Sequence, residues 1–207
     1  MTLMTLRRSL IRSGFALALA LGAGEALALN VLTFDTGNPE RNSTVGSLGF
    51  SVTQVGASGI AGLDFANYDV IYVAQSYEEF LGSTLLGALG SRAGDLADYV
   101  AAGGGLVFGS PAIGGGLGGN TANPGSPITA GVDLSGLGLA PLPSLPGFTP
   151  EVKNAAGAPV VLSGNLGPGR LVTWTPDPLL GPQPITKDAL DLVNNSITWA
   201  AGEPPAA

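Results

Sequence analysis

The side chains available for chemistry are carboxylates, hydroxyls and amides, because the 207-residue chain contains neither Cys nor His. A thiol nucleophile, a Ser-His-Asp triad and a His-based metal site are therefore excluded. Acid–base catalysis near neutral pH would require a carboxylate with a raised pKa. The composition accordingly predicts no recognisable catalytic constellation, no metal site and no cofactor.

Polar residues follow four apolar runs, each of which predicts a buried strand. Carboxyl ends of parallel strands meet at one edge of a sheet, where ligands bind in open α/β folds. Residues near these ends are therefore candidate ligand contacts. They are Asp35, Gln75, Ser76, Tyr77, Glu78, Ser110, Thr175 and Asp177.

Several of these residues also have a purely structural interpretation. Asp35 suits an Asx turn. Glu78 and Glu79 suit the first turn of a helix, where carboxylates interact favourably with the helix dipole. Ser110 suits a tight turn as a small residue. Trp174 and Trp199 could stack on a sugar, but both lie in apolar patterns typical of a core.

Strand-like runs alternate with segments of helical periodicity, which is typical of a parallel sheet covered on both faces. We expect a three-layer, flavodoxin-like α/β sandwich with a mainly parallel sheet. The predicted strands are 29–34, 50–55, 70–74, 106–108, 159–162 and 170–175, and the predicted helices are 41–49, two pieces within 79–102, and a last helix capped by Thr186. Arg92 is expected to face water, and Gly103 to end its helix.

The first 28 residues have the three parts of a secretory signal. Arg7, Arg8 and Arg12 precede an uncharged run at 13–24, and a small-x-small pattern ends at Ala28. The run is shorter than the about 20 apolar residues of a membrane span. We therefore predict a cleaved signal peptide, export to a secreted or periplasmic location, and no membrane span after cleavage.

The remaining chain is predicted to form one domain, residues 29–201, followed by a disordered tail at 202–207. Residues 111–149 are rich in Gly and Pro and predict a long irregular excursion, which begins with a flexible loop at 111–127. Removal of residues 1–28 changes the net charge from −7 to −9. This negative charge argues against nucleic acid as a partner. The predicted partner is therefore an unknown small molecule or a surface polymer.

Three segments carry a resemblance to a known family. Residues 68–73 (YDVIYV) are similar to a "yDvvv" strand, residues 96–107 to a "yv..GGglv" helix-to-strand junction, and residues 172–177 (VTWTPD) to a strand that ends in "qFHPE". In this order they resemble the class I glutamine amidotransferase-like superfamily, including its ThuA-like, non-catalytic secreted relatives. The resemblance implies an amidotransferase-like α/β domain.

The chain departs from that family at its catalytic positions. The family's nucleophilic Cys follows the fourth strand, where this sequence has Gly109 and Ser110. The family's His and Glu fall on Thr175 and Asp177. A serine without an imidazole to deprotonate it is a poor nucleophile. The resemblance therefore implies the fold without the glutaminase mechanism.

Three functions remain open from the sequence. The leading one is an exported, non-catalytic binding or structural module. An alternative is a carboxylate-dependent hydrolase that acts on an extracytoplasmic substrate such as a carbohydrate, since two carboxylates about 5–9.5 Å apart suffice for glycoside hydrolysis. Its carboxylates would come from Asp35, Glu78, Glu79 and Asp177. The third is a surface-assembly protein whose segment 111–149 contacts partners.

Overall fold

The computed structural model describes residues 28–34, 39–74, 84–109, 120–175, 179 and 185–202. Its strands are β1 (Asn30–Phe34), β2 (Ser51–Val55), β3 (Val70–Ala74), β4 (Gly105–Gly109), β5 (Thr121–Ala122), β6 (Thr149–Lys153), β7 (Pro159–Leu166) and β8 (Gly169–Trp174). Its α-helices are α1 (Pro39–Ser47), α2 (Thr84–Ser91), α3 (Ala93–Ala101) and α4 (Lys187–Ala200).

The strands form one sheet in the order β2-β1-β3-β4-β8-β7-β6-β5. The first five strands of that order are parallel, and β7, β6 and β5 continue the sheet through antiparallel pairs. Crossovers between parallel strands place helices on the sheet faces. The predicted α/β fold with a mainly parallel sheet is confirmed.

Side chains along the central strands alternate between two separate cores, as the period of two in a strand requires. Val31, Val70 and Val107 belong to the core that includes α1 and α4, and Leu32 and Ile71 belong to the core beneath α2 and α3. Helices therefore cover both faces. The runs predicted as buried strands and the predicted last helix supply fully or almost fully buried side chains to these cores, including Leu32, Val70, Ile71, Val73, Leu106, Val107, Val172 and Ile197.

Two predicted helix ends are confirmed by their hydrogen bonds. The Oγ1 atom of Thr186 accepts from the backbone N–H of Ala189 at 3.2 Å, which satisfies one of the free donors at the start of α4. At the end of α3, Gly103 has φ +100° and donates its N–H to the carbonyl of Val100 at 2.8 Å. This left-handed conformation suits glycine and turns the chain into β4.

The first two segments that resemble the family are joined by hydrogen bonds. The Oδ2 atom of Asp69 accepts from the N–H of Asn30 at 2.9 Å and so holds the start of β1 beside β3. The hydroxyl of Tyr99 donates towards the carbonyls of Asp69, at 3.0 Å, and Gly105, at 3.1 Å. The Asp and Tyr of these motifs therefore fix the entry ends of three parallel strands.

Arg92 does not face water as predicted. Its guanidinium donates to the carbonyls of Ile60 at 2.6 Å and Leu63 at 3.0 Å, and it lies 4.8 Å from the centre of the Phe65 ring. It also pairs with Asp95. The planar, five-donor group satisfies carbonyls of the short 3-10 turn Ala57–Gly62, an interaction that helical periodicity alone does not reveal.

The antiparallel half of the sheet extends beyond the prediction. Strand β5 and the first residue of β6 lie within the segment predicted to be irregular, and no strand was predicted at β6. Strand β7, predicted at 159–162, continues to Leu166, so that Gly167 and Pro168 alone separate it from β8. Pro150 lies within β6, and it makes the segment look unlike a strand in the sequence because proline is rare inside strands. Glu151 is buried on β6, and the hydroxyl of Ser163 on β7 donates to its carboxylate.

Within the segment predicted to be irregular, residues 120–148 contain β5 and a 3-10 turn, Leu134–Gly136. The flexible loop predicted at 111–127 is wrong at Thr121–Ala122, which pair with β6, and residues 110–119 lie outside the described part. Ile128 and Leu139 are buried in the core beside α4. Among the described residues, no helix is both long and apolar enough to cross a bilayer.

Candidate functional site

The carboxyl ends of β3, β4 and β8 meet at one edge of the sheet, with β1 ending beside them. In the register of the ladder, Ala74 pairs with Gly109, and Gly109 pairs with Trp174. One strand further along, Thr33 pairs with Tyr72. The strand-end crevice, defined here as the edge formed by these residues, is therefore where the predicted ligand contacts begin.

Of the eight predicted candidates, the structure describes Thr175 alone. The other seven, Asp35, Gln75, Ser76, Tyr77, Glu78, Ser110 and Asp177, lie outside the described residues. The strands that immediately precede Asp35, Gln75, Ser110 and Thr175 are neighbours in the sheet. Strand order thus agrees with the grouping of these four positions, while the contacts of seven candidate side chains stay predictions.

Thr175 is a buried residue, 6% exposed, at the end of β8. Its carbonyl accepts from the N–H of Ala140 at 2.6 Å, and the carbonyl of Pro159 accepts from the N–H of Leu142 at 2.7 Å. The segment from Ala140 to Leu142 therefore runs across the end of β8 and the start of β7. At the position of the family's His, this chain has a covered hydroxyl that cannot accept a proton near neutral pH.

Two residues outside the eight candidates carry buried polar atoms at this edge. The Oγ1 atom of Thr33 and the Nε1 atom of Trp174 have no hydrogen-bond partner among the described residues. Their neighbour Tyr72 lies with Trp174 in one core, at a ring-centroid distance of 6.4 Å. Leaving a buried polar group unpaired costs about 1–3 kcal/mol, so such atoms merit a functional explanation.

One of these residues has a sequence signal. Thr33 is the only hydroxyl within the otherwise apolar end of β1 (NVLTF), and a lone polar residue in a buried run indicates a specific role. The interpretation of Trp174 as core is confirmed by its complete burial. Trp199 is half-buried, and its ring lies 5.1 Å from the guanidinium carbon of Arg170.

Carboxylates in the described part of the chain do not cluster in threes close enough to hold a metal ion. Two charged groups near the start of α4 have shifted pKa values. The backbone N–H of Ser135 and then its hydroxyl lower the pKa of Asp133, and a hydrogen bond from Lys187 to Asp191 raises the pKa of the lysine. Both side chains are exposed to solvent. Asp133 caps a turn, and Lys187 forms an ion pair with Asp191 on the surface.

Solved structures with similar folds come from several bacteria and an archaeon. A GMP synthase-like protein from Thermoplasma acidophilum superposes with a TM-score of 0.57 at 14% identity, over 86% of this chain and 96% of that one. A cytoplasmic protein from Salmonella typhimurium gives 0.56 at 12% identity, over 83% and 98%. A ThuA-like protein from Parabacteroides merdae gives 0.51 at 13% identity, over 87% and 92%.

No protein-family model matches the sequence, and no curated protein matches it. At these identities the structural likeness concerns the fold. The chain has a class I glutamine amidotransferase-like fold, as the three sequence segments predicted.

Proposed function

We propose that this chain, whose amidotransferase-like fold contains no Cys and no His, is an exported module that binds a small molecule or surface polymer without catalysing a reaction. The observation that carries the proposal is the complete absence of both residue types from the sequence. The family's mechanism needs a thiolate and an imidazole. A fold persists when its chemistry is lost, because function depends on the site.

The strand-end crevice supports binding as the remaining role. The Nε1 donor of Trp174 and the hydroxyl of Thr33 are buried there and unpaired among the described residues. A ligand hydroxyl or carbonyl that reached this edge would find two polar groups that have no hydrogen-bond partner among the described residues. Neutral polar ligands such as sugars carry these groups, and the net negative charge of the chain disfavours anionic polymers at most of its surface.

A thermal-shift screen of the full chain with sugars, divalent cations and amino acids tests binding. At a ligand concentration of 100 Kd we expect a stabilisation of about 2.7 kcal/mol, which is a rise in Tm of roughly 5–10 °C for a chain of this size. Trp174→Phe should remove most of that rise, because it keeps an aromatic ring and loses the N–H. Trp199→Phe, on the helix outside the crevice, is the control and should retain the rise.

The screen can contradict the proposal in two ways. Equal shifts in the two tryptophan variants would place the ligand elsewhere, and no shift with any of the three classes would remove small-molecule binding.

Catalysis is expected to be absent. Amide and ester turnover by the full chain should stay at the uncatalysed background, and Ser110→Ala should leave that background unchanged, because no imidazole is present to deprotonate the serine. The measurement is product release from glutamine and from p-nitrophenyl esters. Turnover that disappears in Ser110→Ala would contradict the proposal. Turnover of a glycoside that is insensitive to Ser110→Ala would instead favour the carboxylate-dependent hydrolase.

Export is the second part of the proposal and rests on the charged, apolar and small-residue order of residues 1–28. Expression in a secreting host followed by N-terminal sequencing should give Leu29 as the first residue of the exported protein. Intact Met1 in the membrane fraction would show that the segment is an uncleaved anchor.

A further inference from the structure

Strand β2 forms one end of the sheet, and its outer edge has no partner strand among the described residues. The N–H of Ser51 donates to the carbonyl of Leu29 at 2.9 Å, so the backbone of Ser51 faces β1. Because alternate residues of a parallel strand bond to the same neighbour, the backbone of Thr53 faces β1 as well. The N–H and carbonyl groups of Val52 and Gln54 therefore point away from the sheet, and within the described ranges they have no hydrogen-bond partner.

The two ends of the sheet differ in how they are protected from other chains. Natural edge strands avoid unwanted pairing by being very short or by carrying a lysine, a proline or a bulge. At the far end, β5 is protected because it has only two residues, Thr121–Ala122. Strand β2 (SVTQV) has five residues, pairs with β1 in an unbroken register, and contains no charged residue and no proline. It is therefore able to accept another strand.

The charge distribution allows a second copy of this acidic chain to approach β2. The chain has a net charge of −7, so two copies repel each other on average. Between Arg41 and Asp64, however, no residue is charged. This stretch includes β2, most of α1 and the 3-10 turn that follows β2. The edge strand and the segments that flank it in the chain therefore add no repulsion.

We propose that two copies of this chain form a symmetric dimer through antiparallel pairing of their β2 strands, with the two-fold axis at Thr53. In that register Val52 of each copy lies opposite Gln54 of the other, and each such pair exchanges both backbone N–H···O hydrogen bonds. The two exposed Thr53 side chains lie directly opposite each other, which is a favourable cross-strand pair. This contact closes on itself, whereas joining β2 to the two-residue β5 of another copy would form an open array.

The dimer is expected to be weak, because a contact made mainly by one edge strand falls below the about 1,200 Å² of total area that stable interfaces bury. We expect a dissociation constant in the micromolar to millimolar range. The chain is then mainly monomeric in the dilute solutions used for thermal melting. The dimer is independent of the proposed function, since β2 supplies no residue to the strand-end crevice.

Sedimentation equilibrium of the full chain, over a range of concentrations that reaches millimolar, measures the dimer. The average mass should rise towards twice the monomer mass and no further. Gln54→Pro should keep the chain monomeric at every concentration, because it removes a donor that points outward and leaves the hydrogen bonds to β1 intact. Gln54→Ala is the matched control, since it keeps the N–H and should dimerise as the unchanged chain does.

Thr53→Lys gives a second test that still decides if Gln54→Pro does not fold by circular dichroism. It places two lysines directly opposite each other at the two-fold axis, so the dissociation constant should rise about threefold to fivefold at low salt and recover at high salt. Thr53→Gln has a similar length without the charge and should dimerise as the unchanged chain does. A mass that stays at the monomer, a mass that grows beyond the dimer, equal dimerisation of Gln54→Pro and Gln54→Ala, or equal dimerisation of Thr53→Lys and Thr53→Gln would each overturn the proposal.

Discussion

Val107→Asp is expected to abolish the cooperative unfolding transition of the protein. Val107 is completely buried in the middle of β4, between Tyr72 of β3 and Val172 of β8. A charge buried at this position without a compensating partner costs more than the about 5–15 kcal/mol by which domains are stable. Thermal melting followed by circular dichroism, together with the soluble yield, measures the effect.

The matched control is Thr53→Asp, which introduces the same side chain into an exposed position of β2 at the edge of the sheet. Its stability should change by no more than about 1 kcal/mol, because surface substitutions away from special features are usually mild. A soluble Val107→Asp protein that melts as cooperatively as Thr53→Asp would contradict the position of β4 at the centre of the sheet.

The central parallel strands could be predicted because they are short and mainly apolar runs. The run around Val31 is interrupted only by Thr33, and those around Ile71 and Val107 are apolar throughout, which is the pattern of strands buried on both faces. The antiparallel half was missed at β5 and β6. Strand β5 has only two residues, and β6 contains Pro150 and does not alternate clearly between buried and exposed side chains. The pairing of β6 with β7 therefore determines the strand, and the local sequence pattern does not reveal it.

The sequence predicts where the candidate site lies, but it predicts less well which residues contribute polar atoms to it. Sheet topology determines that residues after β1, β3, β4 and β8 share an edge, so apolar runs alone locate the crevice. Whether the polar atoms of Thr33 and Trp174 have a hydrogen-bond partner depends on residues that are distant in the sequence. The sequence around each of them therefore does not predict it.

The glycine-rich junction after α3 shows how packing constrains a motif. A Cβ atom on Gly104 would lie 2.3 Å from the ring of Tyr99, and one on Gly105 would lie 2.5 Å from the carbonyl oxygen of Ala200. On the facing strand, a Cβ atom on Gly169 would lie 2.0 Å from the carbonyl oxygen of Val100. The end of α4 therefore meets the start of β4, and the end of α3 meets the start of β8, with backbone almost in contact in both places.

Gly169→Ala is consequently expected to destabilise the protein by at least about 3 kcal/mol, at the upper end of overpacking effects. The clashing atom belongs to the backbone of Val100, which is held by α3 and cannot rotate away as a side chain would. Gly94→Ala is the control, since a Cβ atom there meets nothing within 4 Å and Gly94 lies inside α3. It should raise stability by roughly 0.5–1 kcal/mol, because alanine favours the helix. Urea unfolding of both variants measures the difference, and a Gly169→Ala protein as stable as Gly94→Ala would contradict the close contact between α3 and β8.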